Sequence, residues 1–190
     1  MKNIFIISGP AGSGKDAVIE GLRTRFPAER VITSTTRLPR EGETEGISYH
    51  FLSRENFEKA LKENKFVEYS INENDELYGV TKEEIERVSK LPVTILWKMD
   101  WKGVVSVKKL FPEIPSLLIT ASLSDLEARL RRRDGKEKDE TYFTERMNYT
   151  REWLTHTDIY DYIIENKEDA LDETIAETER IIKTHFAEKK

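Results

Sequence analysis

The chain has 190 residues, with 31 Lys and Arg against 36 Asp and Glu, a net charge of −5, no cysteine and 37% hydrophobic residues. Those figures fit one globular domain with room for small inserted lobes, and they exclude a disulfide framework, a Cys-ligated metal site and bulk attraction to nucleic acid or anionic lipid. No apolar run nears the roughly 18 residues that span a bilayer. Met1-Lys2-Asn3 with four apolar residues after it is too short for a signal-peptide core, so a cytoplasmic protein with no membrane partner is expected. Charge is uneven along the chain: residues 1–40 carry seven Lys or Arg against three Asp or Glu, and a second basic knot runs from Arg129 to Arg133.

In chain order, Ile4–Ile7 reads as a short buried strand, and residues 16–25 carry helical spacing with Val18, Ile19 and Leu22 on one face. Strand-like pieces at Tyr49–Leu52 and Phe66–Ile71 flank an amphipathic helix near 54–63, which predicts an inserted α+β lobe over 33–80. Thr81-Lys82-Glu83-Glu84 and Ser124-Asp125-Leu126-Glu127 fit the capping box, in which hydroxyl and carboxylate satisfy helix amides reciprocally. Val93–Trp97 and Ser116–Thr120 read as further buried strands, with a helix over 101–110 between them. A charged, mostly helical stretch over 129–153, interrupted at Asp134-Gly135, is a candidate lid. Tyr162–Ile164 reads as a last strand and 168–183 as a final helix. This alternation predicts an α/β fold with a mostly parallel sheet, its core drawn from 1–32, 81–128 and 154–190.

Gly9-Pro10-Ala11-Gly12-Ser13-Gly14-Lys15 satisfies G-x-x-x-x-G-K between a buried strand and a helix start. Glycines let successive amides curl into an anion nest, the helix dipole adds positive potential, and the lysine reaches outer phosphates. The motif expects Ser or Thr next. Asp16 stands there instead, as either a carboxylate ligand for magnesium or a helix cap. Further on, Arg37 and Arg40 lie three apart in a turn-rich loop with Tyr49 beyond, a set suited to bidentate phosphate binding. His50, His156 and His185 show no metal or triad spacing and read as ordinary surface or edge residues.

The run T-T-R-x-P-R-x-G-E-x-x-G-x-x-Y-x-F, from Thr35 to Phe51, closely resembles the guanylate kinase signature. Phe66-Val67-Glu68, Tyr78-Gly79, the arginine-rich stretch with Arg133 and Arg146, and Tyr160–Asn166 match in order, so the resemblance covers nearly the whole chain. It implies a P-loop kinase with a parallel-sheet core, a GMP-binding lobe and a helical lid. It implies transfer of the ATP γ-phosphoryl group to GMP, with Mg²⁺ accompanying ATP. Carried over, Arg37, Arg40, Tyr49 and Tyr78 would bind the GMP phosphate, while Thr33, Glu68 and Asp100 would face guanine or its sugar. Gly9–Asp16 would hold ATP phosphates, and Asn166 lies in the segment expected beside adenine. Lys15, Arg37, Arg133 and Arg146 would serve the transfer itself, and the Arg129–Arg133 knot is expected to close over the phosphates.

Three positions depart from the family pattern. Asp16 replaces the metal-binding hydroxyl, Lys98 stands where an aspartate is usual, and Val80 replaces a hydroxyl residue near the base. An Asp16–Lys98 ion pair is expected, because strand ends and the P-loop meet at the carboxyl edge of such a sheet. Val80 and Gly14-Lys15-Asp16 are also similar to ribose 1,5-bisphosphate phosphokinases, although Glu68 favours GMP. A catalytically inactive, protein-binding module has no need of Lys15 or the lid arginines. A monomer or weak homodimer without a nucleic-acid partner is expected.

Overall fold

In the computed structural model the described residues are 3–72, 75–135 and 138–187. The remainder, including 73–74 of the expected lobe, 136–137 of the expected lid and both chain ends, lies outside them. The main sheet has five strands in the order β2 (Ala28–Arg30), β7 (Thr94–Met99), β1 (Ile4–Ser8), β8 (Ser116–Thr120), β9 (Tyr162–Glu165). Every pairing in it is parallel, as the alternating pattern predicted. A second sheet of four strands runs β4 (His50–Phe51), β3 (Ser34–Thr35), β6 (Leu77–Thr81), β5 (Phe66–Ile71).

The main sheet buries both faces, so its central strands carry apolar runs, Ile4–Ile7, Ile95–Trp97 and Leu117–Ile119, rather than alternating. The strand period still sorts their side chains. Ile4 and Ile6 of β1, Ile95 and Trp97 of β7 and Leu118 of β8 enter one core, with Val104 and Val107 of α4 (Trp101–Leu110) and Trp153 of α6 (Glu140–Leu154). Phe5, Ile7, Leu96, Leu117 and Ile119 enter the other, against α1 (Lys15–Arg25) and Ile175 and Ile182 of α7 (Leu171–Ala187). Fully burying each such side chain is worth about 1.5–3 kcal/mol, which fixes the strand ends that carry the site. A third cluster joins Phe57 of α2 (Arg54–Lys62) to Phe66 and Leu77 of the second sheet.

Several local readings need correction. The short strand Ala28–Arg30 has no apolar run and exists by pairing with β7. Helix α5 (Leu123–Asp134) is capped by Ser122, whose hydroxyl accepts from the Asp125 N–H, so Ser124 is already inside the helix. The box at α3 (Lys82–Ser89) is half formed. Thr81 caps the Glu84 N–H, but the Glu84 carboxylate turns to the Ile32 N–H and to Arg87. The last helix starts at Leu171 rather than 168, because Asp169 takes a left-handed turn at φ 56°. Among the described residues no helix is long and apolar enough to cross a membrane.

Candidate active site

The site lies at the carboxyl edge of the main sheet, where β1 runs into the glycine loop and β7 ends at Asp100. Gly12 and Gly14 have φ of 83° and 85°, a left-handed backbone that glycine adopts without strain. A Cβ on Gly14 would lie 2.4 Å from the Asn166 amide nitrogen, and one on Gly9 would lie 2.2 Å from the Ile119 carbonyl oxygen. The loop carbonyls are drawn to outer partners. Asn166 Nδ2 donates to the Ser13 carbonyl at 2.9 Å and Arg129 to the Gly12 carbonyl at 3.4 Å. Holding the carbonyls outward leaves the loop amides for an anion.

The loop opens into a cleft. Its walls bring together Gly9, Ala11, Lys15 and Asp16 from the loop and first helix, Thr33, Arg37, Arg40, Tyr49, Glu68 and Tyr78 from the second-sheet region, Lys98 and Asp100 from the end of β7, and Arg133 and Arg146 from α5 and α6. Six of the lining side chains are cationic and three are acidic, against a chain of net charge −5. Lys15 is lowered to about 8, first by burial and then by the charges of Lys98, Arg133 and Arg146, with Asp16 opposing. Arg146 is pushed down to about 10 by burial and by Arg40, which places a cation of the lobe across from one of the helical pair. Cations crowded together at such a cost make the cleft suited to binding an anion.

Arg37 is nearly buried. It donates to both Glu43 oxygens at 2.7 and 2.8 Å and to the Leu38 carbonyl at 2.6 Å, with its guanidinium 5.2 Å from the Tyr49 ring centre. Glu43 also accepts from the Arg40 backbone N–H at 2.8 Å, so one carboxylate shapes the whole arginine turn. Tyr49 and Tyr78 meet edge to face at 6.2 Å. Deeper in the cleft, Glu68 is 7% exposed and its Oε2 has no hydrogen-bond partner. Burial, then the nearby Asp100 carboxylate, raise it to about 8, with the Val80 backbone N–H opposing. Asp100 caps α4 through the Gly103 N–H at 2.7 Å and accepts from Ser70 at 3.2 Å.

The anticipated Asp16–Lys98 ion pair is present at 2.6 Å. Burial would raise the Asp16 carboxyl, but the ammonium groups of Lys98 and Lys15 outweigh it and hold the group well below the usual carboxylate range. Other expectations shift. Of the Arg129–Arg133 knot, Arg133 lines the cleft. Arg129 and Arg132 bind Glu168, and Arg131 binds Glu127 and Glu140 on the outer surface, because successive helical positions point about 100° apart. Val80 is fully buried in the core on the α4 side, so its side chain packs against protein and only its backbone reaches Glu68. Asn166 sits buried beneath the loop, bonded to Ser13 and Thr174. His156 stacks on Trp101 at 4.0 Å and His185 bonds Tyr162 at 3.0 Å, so both are packing residues. Ser70, Tyr149 and Trp153 also line the cleft. No motif announces them, and only the approach of β5 and α6 to β7 brings them in.

A glycine loop at the carboxyl end of the first strand of a parallel sheet, facing a second cluster of arginines and tyrosines, defines a P-loop nucleoside monophosphate kinase. The family model described as guanylate kinase matches residues 1–185. The guanylate kinase of Histophilus somni (strain 129Pt) is 34% identical over 185 residues, covering 95% of this chain and 87% of that protein. That of Rickettsia felis is 36% identical over 181 residues, covering 94% and 92%. The crystal structure of guanylate kinase from Anaplasma phagocytophilum shares the fold, with a TM-score of 0.76 at 24% identity over 96% of this chain and 85% of that one. The chain belongs to the guanylate kinase family.

Proposed function

We propose that the cleft moves the γ-phosphoryl group of ATP to GMP, giving ADP and GDP, and that its cation-rich outer part and acid-lined inner part divide the work between phosphate and base. The observation that carries the acceptor is the orphaned Glu68 carboxyl. A guanine presents N1–H and an N2 amine, two donors side by side, and a carboxylate accepts both. A sugar bisphosphate offers hydroxyls but no such side-by-side pair of N–H donors. Thr33, beside β3, and Asp100, at the end of β7, would complete the base and sugar pocket.

Phosphoryl transfer needs alignment and charge neutralisation more than covalent chemistry. Arg37, Arg40, Tyr49 and Tyr78 would hold the acceptor phosphate, itself the nucleophile, so no histidine base is required. The loop Gly9-Pro10-Ala11-Gly12-Ser13-Gly14 would cradle the ATP phosphates. Lys15, Arg133 and Arg146 would surround the transferring group and balance charge shifting from donor to acceptor. Asn166 and Arg129 act at one remove, by keeping the loop carbonyls turned out. Closing the second sheet and the 129–153 pair over both phosphates would exclude water and suppress hydrolysis.

Mg²⁺ is commonly held by one or two carboxylates together with substrate phosphates and water. The P-loop offers such a carboxylate in Asp16, which lines the cleft ionised with Oδ1 bound by Lys98 and Oδ2 left to a metal, so the residues fit the ion. Asp16 would hold it, and when bound with ATP the ion would neutralise the outer phosphate oxygens. A coupled ADP-release assay with GMP, dGMP, AMP, UMP and ribose 1,5-bisphosphate as acceptors tests the reading. Turnover strongest with GMP is expected, and turnover confined to the sugar bisphosphate would refute it.

A further inference from the structure

Lys98 is in contact with both halves of the site. Its ammonium donates to Asp16 Oδ1 at 2.6 Å on the P-loop side and to the Tyr49 hydroxyl at 2.7 Å on the second-sheet side. It also lies 4.7 Å from the Tyr49 ring centre, and Arg37 lies 5.2 Å from that same centre. The side chain is 12% exposed and lines the cleft. An ammonium has three donors, and two are used here. The third has no protein acceptor among the described residues. Its burial is costly, but the facing Tyr49 and Asp16 outweigh that and keep it protonated.

Neutralising Asp16 accounts for only one of the two contacts of this ammonium. The tyrosine contact points elsewhere. Tyr49 belongs with Arg37 and Arg40 around the acceptor phosphate, and a lysine bonded to its hydroxyl stands in the same shell. We propose that Lys98 is an additional ligand of the acceptor phosphate, held at the Tyr49 side of the cleft and tethered by Asp16 until the phosphate arrives. This rests on the GMP reading of the cleft.

The test is calorimetric titration of GMP and of guanosine into the full chain without ATP or metal, at a pH above the second phosphate ionisation near about 6. Loss of a charge-assisted hydrogen bond predicts that Lys98→Met binds GMP roughly tenfold to hundredfold more weakly while guanosine binding is unchanged. Asp16→Asn should act in the opposite direction and tighten GMP binding, since it frees the ammonium. If both variants weaken GMP, or if Lys98→Met weakens GMP and guanosine alike, the pair is structural and the proposal fails. An unchanged GMP affinity in a Lys98→Met protein that melts normally also overturns it. Arg40→Ala separates the two levels. Should it too leave GMP binding unmoved, the location of the phosphate site is wrong; should it alone weaken GMP, the error is confined to Lys98.

Discussion

Protonation of Glu68 gives the sharpest quantitative expectation. Its carboxyl is buried with one oxygen orphaned, beside Asp100, and is raised to about 8. In the free protein at pH 7 only about one molecule in ten then carries the ionised form that accepts both guanine donors. Ionising it costs about 1.4 kcal/mol per pH unit below that value. Guanosine is the right probe, since it lacks a titrating phosphate. Its affinity should rise about tenfold per pH unit from 6 to 8 and then level off, with one proton released per molecule bound on the sloping limb. Titration calorimetry in two buffers of different ionisation enthalpy counts that proton. Glu68→Gln keeps one acceptor and replaces the other with a donor. Above pH 8 it should bind guanosine roughly ten- to a hundredfold more weakly, from loss of a charge-assisted bond worth about 1.5–3 kcal/mol, and its affinity should not vary with pH. A flat wild-type profile without proton release, or a slope that survives in Glu68→Gln, would refute the argument. The sign for folding is opposite: a raised carboxyl means the native state binds more protons, so stability of the free protein should fall as pH rises from about 4 towards 8.

Lys15, lowered to about 8, should give kcat/KM for ATP an alkaline limb falling about tenfold per pH unit above that value. The limb in kcat should lie at higher pH, because bound phosphate restores the proton; coincident limbs would contradict this. Asn166→Ala strands the buried Ser13 carbonyl and leaves the Thr174 hydroxyl with only the Ala170 carbonyl. It should cost about 1–3 kcal/mol in urea unfolding and raise KM for ATP more than KM for GMP. Gly14→Ala meets both a φ of 85° and a 2.4 Å approach to Asn166, so ATP binding should fall by at least an order of magnitude, measured by titration, with the melting temperature lowered as well.

Some of this was legible because the signal is local. The glycine loop, the arginine turn and the buried apolar runs each encode their geometry within a few residues, so the parallel sheet, the P-loop and most of the cleft residues could be read before any coordinates. The Asp16–Lys98 pair could be anticipated because strand order brings two known sheet edges together. The short strand Ala28–Arg30 could not be, as nothing in Ala-Glu-Arg favours extension until β7 offers its edge.

The chain by itself determined the glycine loop ending in Lys15 and the arginine turn of Arg37 and Arg40, because each sets its geometry within a few residues. Only the tertiary structure decided which of five neighbouring positions, Arg129 to Arg133, faces the cleft, because helix rotation is set by packing of Leu126 and Leu130 into the interior. It decided that Val80 serves the core and Asn166 the loop, since burial depends on what lies across the sheet. It also decided that Glu68 holds its proton, because the cost of charge depends on the solvent and neighbours removed around it, and those come from distant parts of the chain.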